Sequence, residues 1–528
     1  MINCNDQSLS AILFKGYKAL PNKYALIDNH EKLTYKELFF SSSLNAQNLT
    51  NQGINQFDRV ILIIENSVRF IEAYFSILKA GAIVVPLDPN ISEVKLEKII
   101  DHSEPACIYT SDKVYSRRFQ KSNYSSIKSF MLFKDKKNTG PTHDEIYKVH
   151  YHCRPENMSN DYECIDIKKD QTAVIIYTTG TSGEPKGVAL SHDNIMSTIN
   201  NISQFIKYNS KDKEVITLPL SHSFGLNHVL CNLNASGTAC ILDGIKSIKT
   251  VLKMISDNAT GFPGSPSTYG IILDRYESLF QAAAQNLKFI VINSSPLPVS
   301  IANKIFSILP KTKLYVYYGL TEASRSTFIL HSKDKQSLLK SVGKASPNVE
   351  VAVIDEKNNI VLRDGEGEVL IRGRNVMKGY LNDQIKTESS FFNGWLKTGD
   401  IGYIDKSGYL FIKGRIKDMI NIGGLKTSSG EINEVYSSIE GVDDFYALSI
   451  PIKSNVGVTE KIIALVKFSN KNQFSHDILV NYGRKKLEEF KLPKEFYIVN
   501  AIPRSETGKP LKEDIKEILN GSKLEKLL

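Results

Sequence analysis

Thr178, Thr179, Gly180, Thr181, Ser182, Gly183 and Lys186 fall within one short stretch, YTTGTSGEPKG, that directly follows the apolar run AVII. Glycines among hydroxyl residues permit a tight turn whose backbone N–H groups converge on one point, a geometry that holds anions. The threonine and serine hydroxyls add donors, and Lys186 adds a mobile positive charge. A surface turn after a strand has the same composition, so composition alone leaves both readings open. Spacing narrows them: in a P-loop the lysine precedes Ser or Thr, whereas Gly187 follows Lys186 here, which disfavours an ordinary P-loop nucleoside triphosphatase.

Such a loop needs rigid elements behind it. RVILII followed by NSVRFIEAYFSILKAG and AIVVPLD reads as strand, helix, strand, and similar alternation recurs at AVIIY, EVITLPL and KFIVINS followed by VSIANKIFSIL. The fold class expected over the first 340 or so residues is therefore α/β, with layered sheets and helices. Between about 343 and 412 the runs VEVAVID, GEVLIRG and GYIDKSGYLFIKG, separated by Gly, Asp and Asn turns, predict a β-rich subdomain. A third compositional block follows GRIKDMINIGG and predicts a small α/β domain. The expected division is 1–413 as a large region, 414–418 as a hinge and 419–528 as a small mobile domain.

A length of 528 residues supports at least two cores. The formal net charge is +9, with lysines spread along the chain. That balance favours polyanions such as nucleotides or an acidic carrier, and no zinc-finger, RNP or basic-zipper pattern points to nucleic acid. The six cysteines, Cys4, Cys107, Cys153, Cys164, Cys231 and Cys240, have no CxxC spacing, which argues against a disulfide framework or a cysteine metal cluster. Neither a signal peptide nor an apolar run of membrane-spanning length is evident, so a cytoplasmic location is expected.

YTTGTSGEPKG resembles the signature of the adenylate-forming acyl-CoA synthetase and acyl-carrier-protein ligase superfamily. Further matches follow in order: LPLSHSFGLN, NSSPLP, YYGLTE, WLKTGD, GYLFIKGRIKD and PRSETGKP. The resemblance implies ATP and Mg2+ as cofactors, a carboxylic acid as substrate, and coenzyme A or the phosphopantetheine arm of an acyl carrier protein as acceptor. It places Thr178 to Lys186 over the β and γ phosphates. Glu322 resembles the magnesium-associated carboxylate and Thr321 the hydroxyl on the phosphate chain. Tyr318 and Gly319, beside Ser294, Ser295 and Pro296, resemble the adenine site. Asp400 resembles the carboxylate that grips the ribose hydroxyls, with Arg415 near it.

Lys509, in SETGKP, resembles the lysine of the first chemical step. A carboxylate attacking the α phosphate brings like charges together, and an ammonium between them relieves the repulsion. Lys417 matches the hinge position, and Gly423 and Gly424 the loop brought against the thiol channel. Relatives usually carry proline two residues before the position of Glu431; Ser429 stands there.

At the acid end, His222 resembles the residue at the mouth of the acyl pocket. Amino-acid-activating relatives usually have aspartate just after it, and Ser223 disfavours an α-amino acid. The expected pocket walls are Phe224, Gly225, His228, Phe262, Gly264 and Tyr317. Many relatives carry glycine where Tyr317 lies, so its ring is expected to shorten the pocket and favour a small or medium acid, more polar than a long saturated chain. Coenzyme A is the favoured acceptor, with the carrier protein as the alternative. A non-catalytic nucleotide-binding scaffold is the rival of another class, and retention of Lys509, Glu322 and Asp400 argues against it.

Overall fold

A computed structural model describes residues 8–120, 124–134, 147–155, 165–179, 185–416, 419–422, 425–454, 457–470, 474–505, 508, 510–521 and 524–527. Gly180 to Gly183, Lys417, Gly423, Gly424 and Lys509 lie outside these residues.

The first large sheet grows from the βαβ pattern read in the sequence. Strands Arg59–Ile63, Ile83–Leu87, Cys107–Ser111, Ser129–Phe133 and Lys148–Tyr151 run parallel, with helices Val68–Lys79 and Glu93–Ser103 as the first two crossovers. Their apolar runs are buried on both faces, as a covered parallel sheet requires. Beside Ile83–Leu87 the sheet continues into an antiparallel hairpin, Thr172–Thr179 with Pro185–Ser191, and then the short strand Gly379–Tyr380.

The second large sheet contains the parallel strands Lys213–Ile216, Gly261–Gly264, Phe289–Ile292 and Lys313–Leu320 as neighbours. Strand Ala323–His331 folds back antiparallel on the last of them. Residues of both sheets and of helices Tyr35–Asn51, Val68–Lys79, His192–Ile206 and Ser223–Asn234 share one core. Helices Ile248–Ser256, Pro266–Arg275 and Val299–Ile308 cover the far face of the second sheet and form a separate core. The β-rich segment expected after 343 forms its own antiparallel sheet, including Val349–Ile354, Gly365–Gly373, Trp395–Ile404 and Leu410–Arg415.

Beyond Arg415, residues from Ile420 to Leu527 build two cores of their own around the strands Val442–Ser454, Gly457–Phe468 and Glu495–Ile498. This part touches the large one through the ion pair Lys340 Nζ–Glu434 Oε1 at 2.5 Å. Gly508 also lies against Ser267, where an added Cβ would stand 2.8 Å from Oγ. Among the described residues no helix is long and apolar enough to cross a membrane.

Buried histidines make the fold sensitive to acid. His192 Nδ1 accepts the backbone N–H of Leu9 at 3.2 Å, and burial pushes its pKa down to about 4. His331 is likewise pushed down to about 4, chiefly by burial. A histidine kept neutral in the fold but free to protonate near 6.5 when unfolded contributes stability that is complete above pH 6.5. That stability is lost as pH falls from 6.5 toward 4, amounting to about 2 kcal/mol per residue at pH 5. The urea midpoint is expected to fall between pH 7 and pH 5, and less steeply in His192→Asn.

Candidate active site

The second sheet delivers its candidate site residues at the carboxyl ends of neighbouring parallel strands, where open α/β sheets bind ligands. The turn 217–222 follows Lys213–Ile216, Ser265 follows Gly261–Gly264, and Asn293 to Pro296 follow Phe289–Ile292. Tyr317, Tyr318 and Gly319 end the next strand, and Thr321–Glu322 form its turn into Ala323–His331. Ser294 sits in the left-handed region at φ 91°, and Ser295 and Pro296 are exposed.

Asp400 comes from the third sheet, directly opposite Arg415 in the ladder of Trp395–Ile404 with Leu410–Arg415. Its Oδ1 lies 2.8 Å from Arg415 Nε, and its Oδ2 accepts the Tyr318 hydroxyl at 2.5 Å. Asp400 is buried, while the Arg415 side chain is half exposed. Burial and the neighbouring Asp400 carboxylate hold the Tyr318 phenol well above its ordinary pKa, so it donates at neutral pH. One carboxylate thus unites an aromatic ring from the second sheet with a cation from the third.

Glu322 is half-buried, and its Oε1 accepts the Tyr380 hydroxyl at 2.9 Å. Tyr380 pairs through its backbone with Val188 on the hairpin strand that carries Lys186, and Lys186 stands opposite Thr178 in that hairpin. Tyr380 therefore ties the acidic turn to the hairpin that ends in the glycine-rich loop. Among the described residues Glu322 Oε2 has no hydrogen-bond partner, and no group of three or more His, Cys, Asp or Glu side chains could hold a metal. A single half-buried carboxylate suits a magnesium ion that takes its remaining oxygens from phosphates and water.

At the acid end, His222 is exposed at the N-terminus of helix Ser223–Asn234, while Phe224, His228 and Tyr317 are buried. The Phe224 and Tyr317 rings meet edge to face at 5.5 Å.

A family model described as AMP-binding enzyme matches residues 14–381. The chain belongs to that family. A long-chain-fatty-acid–CoA ligase of Mycobacterium tuberculosis, FadD13, is 28% identical over 92% of this chain and 93% of its own length. An oxalate–CoA ligase of Arabidopsis thaliana is 29% identical, covering 96% and 97% of the two chains. Among solved structures, ATP-bound MatB from Rhodopseudomonas palustris superposes with a TM-score of 0.84 at 25% identity, over 98% of this chain and 99% of that one.

This AMP-binding enzyme departs from the expected acid pocket at several positions. Phe262 packs with Tyr269 and Phe280 in the core on the far side of the sheet, away from Phe224 and Tyr317. Side chains alternate along a strand, and Phe262 falls on the helix-covered face. The side of Gly264 where a Cβ would point is filled by the Tyr269 ring, at 2.9 Å. Gly225 is a close approach of helix to loop, since a Cβ there would stand 2.5 Å from the Pro219 carbonyl oxygen. His228 gives its Nδ1 to Glu214 Oε1 at 2.8 Å, so only its other edge is left to face a pocket.

Sequence reasoning passed over Tyr380, which lies outside every quoted motif, and Arg325, three residues past Glu322. Removal of the hydroxyl in Tyr380→Phe is expected to weaken the hold on Glu322 by about 1 kcal/mol, a roughly fivefold loss. It should be read as a rise in the Mg2+ concentration giving half-maximal pyrophosphate release, with the KM for the acid little changed.

Proposed function

We propose that this chain activates a carboxylic acid with ATP, forming an acyl-adenylate and pyrophosphate, and then transfers the acyl group to the thiol of coenzyme A. The observation that carries this reading is that one strand and its turn, Lys313–Leu320 with Thr321–Glu322, set the Tyr318–Asp400–Arg415 cluster four residues from the Glu322–Tyr380 pair beside the Lys186 hairpin. The first suits a ribose, whose two hydroxyls donate to a carboxylate. The second suits a triphosphate with its metal. The relatives FadD13 and the oxalate–CoA ligase are named as coenzyme A ligases, and the acids they are named for span a long fatty chain and a two-carbon diacid.

In the first step the acid arrives ionised and needs no general base. Tyr318 and Asp400 orient the nucleoside, and Lys186 and Thr178 meet the outer phosphates. Glu322 would hold a magnesium ion, which would supply charge neutralisation for the triphosphate. Lys509 relieves the repulsion between acid and α phosphate. In the second step a thiolate attacks the acyl carbonyl and AMP leaves. The boundary at 414–418, with Lys417 as hinge, lets the 419–528 domain turn after the first step, withdrawing Lys509 and presenting Gly423 and Gly424 to the thiol.

Pyrophosphate release across a panel of carboxylic acids, with mass spectrometry of the trapped adenylate, tests the first step. Thioester formation with coenzyme A and with a phosphopantetheinylated carrier protein, both supplied with one good acid, tests the acceptor. Release without added acid, or none with any acid, sinks the reading. Loading of the carrier protein alone replaces coenzyme A as acceptor.

A further inference from the structure

Arg325 is 1% exposed and takes a left-handed φ of 56°, an unusual backbone setting for a long side chain. Its Nη1 donates to Ser324 Oγ at 2.9 Å and to the Ser223 carbonyl at 3.4 Å, and its Nη2 donates to the Phe224 carbonyl at 3.2 Å. The guanidinium carbon lies 4.6 Å from the centre of the Tyr317 ring. Its Nε has no hydrogen-bond partner, and among the described residues no carboxylate lies within ion-pairing distance of Arg325. A buried guanidinium held only by carbonyls, a hydroxyl and a ring is costly unless an anion completes it.

The groups around it are also incomplete. The Tyr317 hydroxyl is buried with only the Asn293 side chain beside it and no hydrogen bond of full geometry, and His228 Nε2 is buried without a partner. The one acid of this cluster, Glu214, is already engaged by Tyr208, His228 and Asn232. Burial and the Arg325 charge press the His228 imidazole toward its neutral form against the pull of Glu214. With Nδ1–H given to Glu214, Nε2 is left as a bare acceptor.

These atoms adjoin the proposed nucleotide site. Tyr317 immediately precedes Tyr318, and a Cβ on Gly319 would collide with the Arg325 backbone nitrogen. Distances along this turn are short. The Tyr317 and Phe224 rings lie under the guanidinium, edge to face with each other.

We propose that the acid activated here is a short dicarboxylate, its distal carboxylate held by Arg325 and the Tyr317 hydroxyl. Arginine suits this role because its planar fork matches a carboxylate and its charge persists when buried. His228 Nε2, on the same wall, accepts from a hydroxyl carried by the acid, so a hydroxylated diacid outranks its deoxy counterpart. This assignment rests on the acid activation proposed above.

The test compares malonate, succinate, glutarate and malate with monocarboxylates of matched length and with decanoate, each followed by pyrophosphate release. A short diacid is expected to exceed its matched monoacid by at least about tenfold in kcat/KM, the scale on which a site built for a polar group rejects an analogue lacking it. Arg325→Met is expected to lower the diacid-to-monoacid ratio about 100-fold, and Tyr317→Phe, which removes one oxygen, about fivefold. Thermal unfolding of both variants controls for misfolding, with Tyr317→Phe deciding if Arg325→Met does not fold. A monoacid or decanoate turned over as well as the best diacid overturns the dicarboxylate assignment and leaves acid activation standing. If no acid releases pyrophosphate, the activity reading falls, and titration of 13C-labelled succinate decides the site: saturable binding lost in Tyr317→Phe or Arg325→Met upholds it, and no saturable binding overturns it.

Discussion

Lys509→Ala is expected to slow acyl-adenylate formation by about 10²–10³-fold, the range found when one preorganised charge donor is removed from a reacting centre. Thioester formation from purified adenylate should change by no more than a few-fold. The asymmetry follows from the charges. In the first step an anionic acid must approach an anionic phosphate, and a cation between them stabilises the transition state more than the separated reactants. In the second step the adenylate is already made and the thiolate meets a carbonyl. Gly508, at φ 81°, gives its carbonyl to Arg504 Nη1 at 3.0 Å, and Arg504 is anchored by Asp444 at 2.6 Å. That turn abuts Ser267, three residues past the strand end at Gly264. Pyrophosphate release measures the first step and coenzyme A thioester formation from supplied adenylate the second. A first step running at the parental rate would remove Lys509 from the mechanism.

The residues of the proposed nucleotide site were legible in the sequence because each of its parts is a contiguous motif at a strand end. YYGLTE carries the aromatic and the acid within five residues, and one strand and its turn place both. WLKTGD and GYLFIKGR were readable separately, but their meeting depends on the register that sets Asp400 opposite Arg415. The acid end was less legible for a physical reason. Whether Phe262 faces the cleft or the far core depends on which face of a four-residue strand each side chain takes, and two apolar faces leave no alternation to read. Glu214 and His228 sit on a strand and a helix, and nothing in their spacing announces their bond. Tyr380 acts through an edge strand of two residues, too short to carry a pattern. Arg325 reads in sequence as one more charged residue after a motif, and only its burial distinguishes it.

Asp400→Ala is expected to raise the KM for ATP about 100-fold, with a smaller fall in kcat. Two hydrogen bonds from ribose hydroxyls to a buried carboxylate together contribute about 3 kcal/mol, and that energy is present in the bound ground state as well as in the transition state. The KM for the acid should stay near its parental value, because Asp400 belongs to the cluster with Tyr318 and Arg415 and not to the Arg325 end. A structural role for the carboxylate would also impair the variant, since its loss leaves the Tyr318 hydroxyl without its acceptor. The nucleotide separates the two explanations. If Asp400 accepts from the ribose, 2′-deoxy-ATP is a poorer substrate than ATP for the parental enzyme, and the difference collapses in Asp400→Ala because the partner is already gone. If Asp400 only holds Tyr318 and Arg415 in place, the deoxy penalty persists at full size in the variant. Four kcat/KM values, two proteins against two nucleotides, therefore assign the carboxylate to the ribose or to the scaffold.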